Sequence, residues 1–155
     1  MAGSRADTTT PDTRLADDPM KFNPASVGSL IQLMLGGIHP GHRGQVLHAR
    51  VRYFDPVARR AGVPRGVDAL VEALDDTSVT LSLVNTDQLN PRTVLIQAGG
   101  YAEHQFTGLK HGTLDSPLDA DTLSVRLAPG AGGRLRLAME RYTNRPSMRF
   151  PWDRD

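Results

Sequence analysis

The residues with the most chemistry in a short space are Tyr101-Ala-Glu-His-Gln-Phe106, where a phenol, a carboxylate, an imidazole and a carboxamide lie almost side by side. A carboxylate that orients an imidazole makes a general base, and the same groups could instead grip a polar ligand. Successive side chains of a strand point to opposite faces. On that geometry Tyr101, Glu103 and Gln105 share one face, solvated or turned toward a neighbouring domain, while His104 lies between Ala102 and Phe106 on the other. Glu103 then cannot orient His104 within one strand. A core histidine held by a backbone carbonyl is the plain reading, and a polar ligand site at Tyr101, Glu103, His104 and Gln105 is the sharper one.

A second group is His39, His42 and His48, of which the first two lie in the Gly/Pro loop His39-Pro-Gly-His-Arg-Gly44. Three imidazoles could serve a metal, but a loop pair lacks the i, i+4 helical face of a zinc-binding H-E-x-x-H motif and no carboxylate accompanies it. These read as surface or loop-pinning histidines. There is no Gly-x-Ser-x-Gly elbow, and Gly99-Gly100 is not followed by the helix that a phosphate-binding turn needs. The aspartates at 115, 119 and 121 lack calcium-loop spacing. No catalytic residue, metal site or cofactor is therefore expected. Near the carboxyl end, Phe150 and Trp152 flank a proline. A tail that straps across the fold would bury both rings, whereas an exposed Trp152 would offer a stacking platform for carbohydrate.

The elements that must position these groups read mainly as strands. Residues 1–22 are rich in Thr, Asp, Ser and Ala and carry too little apolar surface to offset the entropy of ordering, which predicts a flexible tail. Asn23-Pro24 supplies an N-cap and a first-turn proline for a helix over 24–35, with Val27, Leu30, Ile31 and Met34 on one stripe and Gly36-Gly37 ending it. Residues 45–54 alternate as a strand, and Val67, Leu70, Val71 and Leu74 suggest a second short helix over 67–74. Strands then follow: Val79 to Asn85 and Thr93 to Ala98 as a central pair, a resumption at 101–107, a polar loop through 115–119, and a closing hairpin from Leu123 to Met139.

Bulk properties narrow the class. The 155 residues suit one core. Eighteen basic and seventeen acidic side chains leave a net charge of +1, and the arginines are dispersed, so no nucleic-acid footprint is expected. No cysteine is present, which suits a reducing compartment. The first residues lack the apolar run of a signal peptide and no later run spans a bilayer, so a soluble, cytoplasmic chain with no membrane partner is expected, unless it belongs to a longer protein.

The strings Val79-Thr-Leu-Ser-Leu-Val-Asn85, Arg92-Thr-Val-Leu-Ile-Gln97, Leu123-Ser-Val-Arg-Leu-Ala-Pro-Gly130 and Arg134-Leu-Arg-Leu137 resemble the immunoglobulin-like β-sandwich domains at the carboxyl ends of bacterial glycoside hydrolases and related multidomain enzymes. In that group a strand ending in Asn leads into a turn, and an L-x-P-G phrase precedes the last strand. The resemblance covers residues 78–141. It implies a noncatalytic accessory module that packs on a neighbouring catalytic domain, with no catalytic residue carried over. The expected architecture is a mainly β chain: a tail at 1–22, a helix-strand-helix segment at 23–76 and an antiparallel immunoglobulin-like sandwich at 77–152. The expected partners are that catalytic domain or another protein chain, a carbohydrate, or a second copy bound through helix 24–35. The alternative is a small ligand-binding or hydrolytic enzyme using His104 with Glu103, or the His39 and His42 loop.

Overall fold

Apolar residues at every second position give a strand one face to bury, and that pattern dominates this chain. The computed structural model describes residues 27–38 and 46–154. Within them lie one α-helix, α1 (Gly28–Leu35), and nine strands: β1 (Val51–Asp55), β2 (Arg60–Ala61), β3 (Val67–Leu74), β4 (Ser78–Asn85), β5 (Arg92–Ala98), β6 (Gln105–His111), β7 (Leu114–Ala120), β8 (Thr122–Leu127) and β9 (Gly132–Glu140). A short 3-10 turn follows at Pro151–Asp153. The strands form two antiparallel sheets, one ordered β2-β1-β5-β8 and the other β3-β4-β9-β6-β7.

Both sheets feed one buried apolar cluster. Val51, Tyr53, Val94 and Ile96 come from the four-stranded sheet, and Val79, Leu81, Phe106 and Leu137 from the five-stranded one. The alternation seen in the sequence is the reason: Val79, Leu81 and Leu83 are all buried on β4, as are Leu135, Leu137 and Met139 on β9. Helix α1 buries no residue fully, but Met34 and Leu35 pack against the cluster. It begins at Gly28, after an N-cap at Val27 that makes no side-chain capping bond, and not at residue 24; it ends where expected, at Gly36, whose φ of 60° is left-handed and whose N–H donates to the Gln32 carbonyl. The Asn23-Pro24 cap, the tail at 1–22 and the loop histidines His39 and His42 lie outside the described residues.

Several sequence expectations are overturned. Residues 67–74 are strand β3, not a helix, and they pair with β4 from Val67 opposite Asn85 to Leu74 opposite Val79. Ala, Leu and Glu favour a helix intrinsically, but Val67, Ala69 and Val71 also alternate, and a ladder beside β4 outweighs a preference of a few tenths of a kcal/mol, on the order of the helix scale. Residues 115–119 belong to β7, an edge strand that tolerates Pro117 because one of its sides carries no ladder. The two strands of the expected closing hairpin exist but do not pair: β8 joins β5 in one sheet and β9 joins β4 and β6 in the other. The turn at 128–131 therefore carries the chain between sheets. The expected central pair, β4 with β5, is likewise split between the two sheets. Strands on either side of the expected boundary at 76/77 share both sheets, since β1 pairs β5 and β3 pairs β4.

The strand assignment for β3 and β4 has a mutational signature. Leu81→Ala, at a position with no exposure, is expected to cost about 2–5 kcal/mol. Leu70→Ala, on the outer face of β3 and 42% exposed, is expected to stay within about 0.5 kcal/mol of the parent. Urea denaturation of the two variants checks both values.

Candidate functional site

The Tyr101–Gln105 string lies where the chain leaves β5 for β6, and only Gln105 belongs to a strand. Strand alternation therefore does not govern Glu103 and His104. Gly99 takes φ 88°, and a Cβ there would stand 2.4 Å from the Glu103 carboxylate, so this turn needs glycine on both counts. Ala102, with φ 61°, is left-handed without being glycine. The result is a tight loop that turns its carboxylate inward. Glu103 Oε1 accepts from the Gly100 N–H at 3.2 Å and Oε2 from the Tyr101 N–H at 2.7 Å. Glu103 is 9% exposed, so the carboxylate expected on a solvated or interdomain face is buried, while Tyr101 and Gln105 are half-buried.

His104 is 3% exposed, and its Nδ1 accepts the Tyr142 N–H at 3.0 Å. The hydrogen-bond pattern thereby assigns the ring proton to Nε2 in the neutral imidazole. Nε2 stands 3.8 Å from Glu103 Oε1, which is beyond a hydrogen bond but within electrostatic reach. The two side chains that a regular strand would hold apart are thus neighbours. Burial pulls the His104 pKa below its ordinary value, Glu103 opposes this, and Arg141 and Arg50 add to the lowering. The Tyr142 ring stands edge-on to the imidazole with centroids 4.7 Å apart.

The other predicted site residues divide. Tyr101 is tied down at both ends, its hydroxyl accepting from the Leu47 N–H at 3.1 Å and its carbonyl from the Ser147 N–H at 2.7 Å. The Gln105 carboxamide donates to Asp119 Oδ1 at 2.8 Å and accepts from Asn144 Nδ2 at 2.9 Å. Trp152 packs elsewhere: Phe150 stacks on it at 5.0 Å, the Arg59 guanidinium lies 5.2 Å over its ring, and both Phe150 and Trp152 stand nearly perpendicular to the buried Phe54 ring. Arg154 pins the chain beyond it, bonding Asp121, the Gln97 carbonyl oxygen and Thr122. His48 is bridged to Ile38 and sets its Nε2 3.4 Å from the Tyr142 hydroxyl. Among the described residues no three His, Asp or Glu side chains converge as a metal ion would require.

Sequence reasoning missed Tyr142, Asn144, Arg141 and Arg50. Asn144 Nδ2 donates to the His104 carbonyl at 2.9 Å. Burial, then the charge of Arg141, lowers the Arg50 pKa, and Arg50 Nη1 and Arg141 Nε are buried with no partner among the described residues. Tyr142 stands 38 residues from His104 along the chain, a separation at which no local spacing rule operates. The cluster as a whole ties a loop to the segment after β9. Its carboxylate and its Nδ1 both take backbone amides, which is fastening and not the poised acceptor that a general base presents to substrate.

Compared with known proteins, the chain matches no protein-family model, and no curated protein or solved structure matches it at a significant level.

If Glu103 fastens the loop, Glu103→Ala strips two buried amides of their acceptor and is expected to cost about 1–3 kcal/mol. Glu103→Gln keeps one carbonyl acceptor and is expected to cost less. Chemical denaturation at neutral pH ranks the two.

Proposed function

We propose that this chain is a noncatalytic accessory or interaction module with an immunoglobulin-like β-sandwich fold, serving a larger and carbohydrate-active enzyme as a packing partner. The observation that carries the reading is the use made of Glu103 and His104. Both spend their acceptor atoms on backbone amides of the protein itself, at Gly100, Tyr101 and Tyr142. A second observation supports a protein partner: Val27, Leu30 and Leu33 of the α1 region and Leu70 and Leu74 of β3 are each at least 42% exposed. Between α1 and β3 lies a hollow of about 570 Å³ lined by residues such as Leu33, Gly36, Val71 and Leu74. Apolar surface of this kind suits contact with another domain. Glycan stacking on Trp152 is the weaker alternative, because Phe150 and Arg59 already engage that ring.

Two measurements test the proposal together. The purified chain, incubated with a panel of soluble polysaccharides and aryl glycosides, is expected to release no sugar above a buffer blank, and sustained turnover would refute the reading. Leu30→Lys with Leu33→Lys is expected to leave the melting temperature nearly unchanged while abolishing any association seen by size-exclusion chromatography with light scattering, whether of the chain with itself or with its neighbouring domain. Loss of folding in that variant would show instead that the α1 face is part of the core.

A further inference from the structure

Residues 142–154 cross the molecule with two separate fastenings. The far one is apolar and ionic: Phe150 and Trp152 lie against Phe54, Arg59 meets Asp153 at 3.1 Å, and Arg154 meets Asp121 at 3.2 Å. The near one is a short ladder onto the loop before β6, with the Tyr142 N–H on His104 Nδ1, the Asn144 N–H on the Glu103 carbonyl at 3.3 Å and the Ser147 N–H on the Tyr101 carbonyl at 2.7 Å, joined by the Asn144 carboxamide on the His104 carbonyl and the Gln105 side chain. Only one acceptor in that ladder can titrate, and it is the first rung. We propose that His104 is an acid-sensitive latch: protonation at Nδ1 turns this acceptor into a donor facing the Tyr142 N–H and frees residues 142–147 from the loop at 101–105, while the far fastening holds.

Two features of the geometry favour release. Two donors facing one another in a buried site leave both without an acceptor, a state that folded proteins avoid. Tyr142 is held at φ 59°, a left-handed conformation that a non-glycine residue abandons readily once its amide is loose. The charges near the ring are mixed: Glu103 on the loop favours the imidazolium, Arg141 just after β9 and Arg50 ahead of β1 oppose it, and Asp76, 3.8 Å from Arg141, offsets part of that opposition. Further titratable groups in the described cluster are the Tyr142 phenol, which packs on the ring, and His48, which contacts that phenol. Glu103 attracts an imidazolium, but its nearer oxygen stands 3.8 Å from Nε2, beyond a hydrogen bond, and on the far side of the ring from the Tyr142 amide on Nδ1.

The sign of the effect follows. Burial lowers the pKa of the latched imidazole, so the released state binds the proton more readily. The latched state keeps its full advantage above the ordinary histidine value of about 6.5 and loses it as the pH falls below that value.

Amide hydrogen exchange read by NMR, with protection factors corrected for the intrinsic rate at each pH, tests the latch. Between pH 7.5 and 5.5, protection at Tyr142 and Ser147 is expected to fall by up to about tenfold, the ratio set by one proton bound to a histidine of ordinary pKa in the open state. Emission from Trp152, the single tryptophan, should stay constant. His104→Asn places an uncharged carbonyl near the Nδ1 position and should hold protection level across the range. Unchanged protection in the parent protein, an equal fall in His104→Asn, or a Trp152 shift over the same pH range would each overturn the proposal. Should that variant fail to fold, the ring nitrogens of His104 and the Tyr142 amide are followed in the parent: coincident titrations support the latch, and a His104 titration with a silent Tyr142 amide overturns it.

Discussion

The structure depends on two sheets hiding their apolar faces in a common interior. Val79, Leu81 and Leu137 on one sheet and Val94 and Ile96 on the other reach zero exposure together. Each such side chain contributes roughly 1.5–3 kcal/mol by leaving water, and no single sheet could collect that gain because its inner face would stay wet. This need for two covered faces explains why neighbouring strands in the sequence are so often separated in space. The chain passes between sheets after β2, β4, β5, β7 and β8, and each passage sets a new strand over the interior.

Passages of that kind leave backbone groups without a ladder, and buried polar side chains take them up. Asn85, with no exposure, donates to the carbonyls of Asn90 and Ala128 and accepts the Asp87 N–H, so one carboxamide stitches the β4–β5 connection to the β8–β9 connection. Asp87 continues the stitch by accepting from the Leu89 and Asn90 amides, and those amide bonds, helped by Asn90 and Arg92, hold its carboxyl well below the usual carboxylate range. Glu103 and His104 perform the same service at the β5–β6 connection. Residues that look like chemistry in a list of side chains thus act here as substitutes for missing ladder partners. Tyr53 shows the limit of such provision: its hydroxyl is buried without a partner among the described residues, and burial pushes its pKa up.

Much of the secondary structure is legible because side-chain direction in a strand is a local matter. The alternations at 79–83 and 135–139 correctly announce β4 and β9, and Gly36 correctly announces the end of α1, since a left-handed C-cap favours a residue without a Cβ. The stretch at 67–74 shows where local reading fails. Its apolar residues satisfy both a helical stripe and a two-residue period, and only the neighbouring β4 selects between them. Pro117 misleads in the opposite way, since it speaks against a strand until the strand is seen to lie at an edge. With no helix longer than α1 among the described residues, none is long and apolar enough to cross a membrane.

The amino-acid sequence by itself determined that this is a mainly β protein, which residues face inward on β4 and β9, and that its polar interest centres on residues 101–105. Those properties arise from neighbours one to four positions apart, and such distances are written directly in the chain. The tertiary structure alone decided which strands pair, that β8 and β9 part into different sheets, and that Glu103 and His104 stand together with the Tyr142 amide closing on the imidazole. These are contacts between segments tens of residues apart. They arise when burying both sheets in one interior fixes where each connection must turn, and which buried amide is left seeking an acceptor.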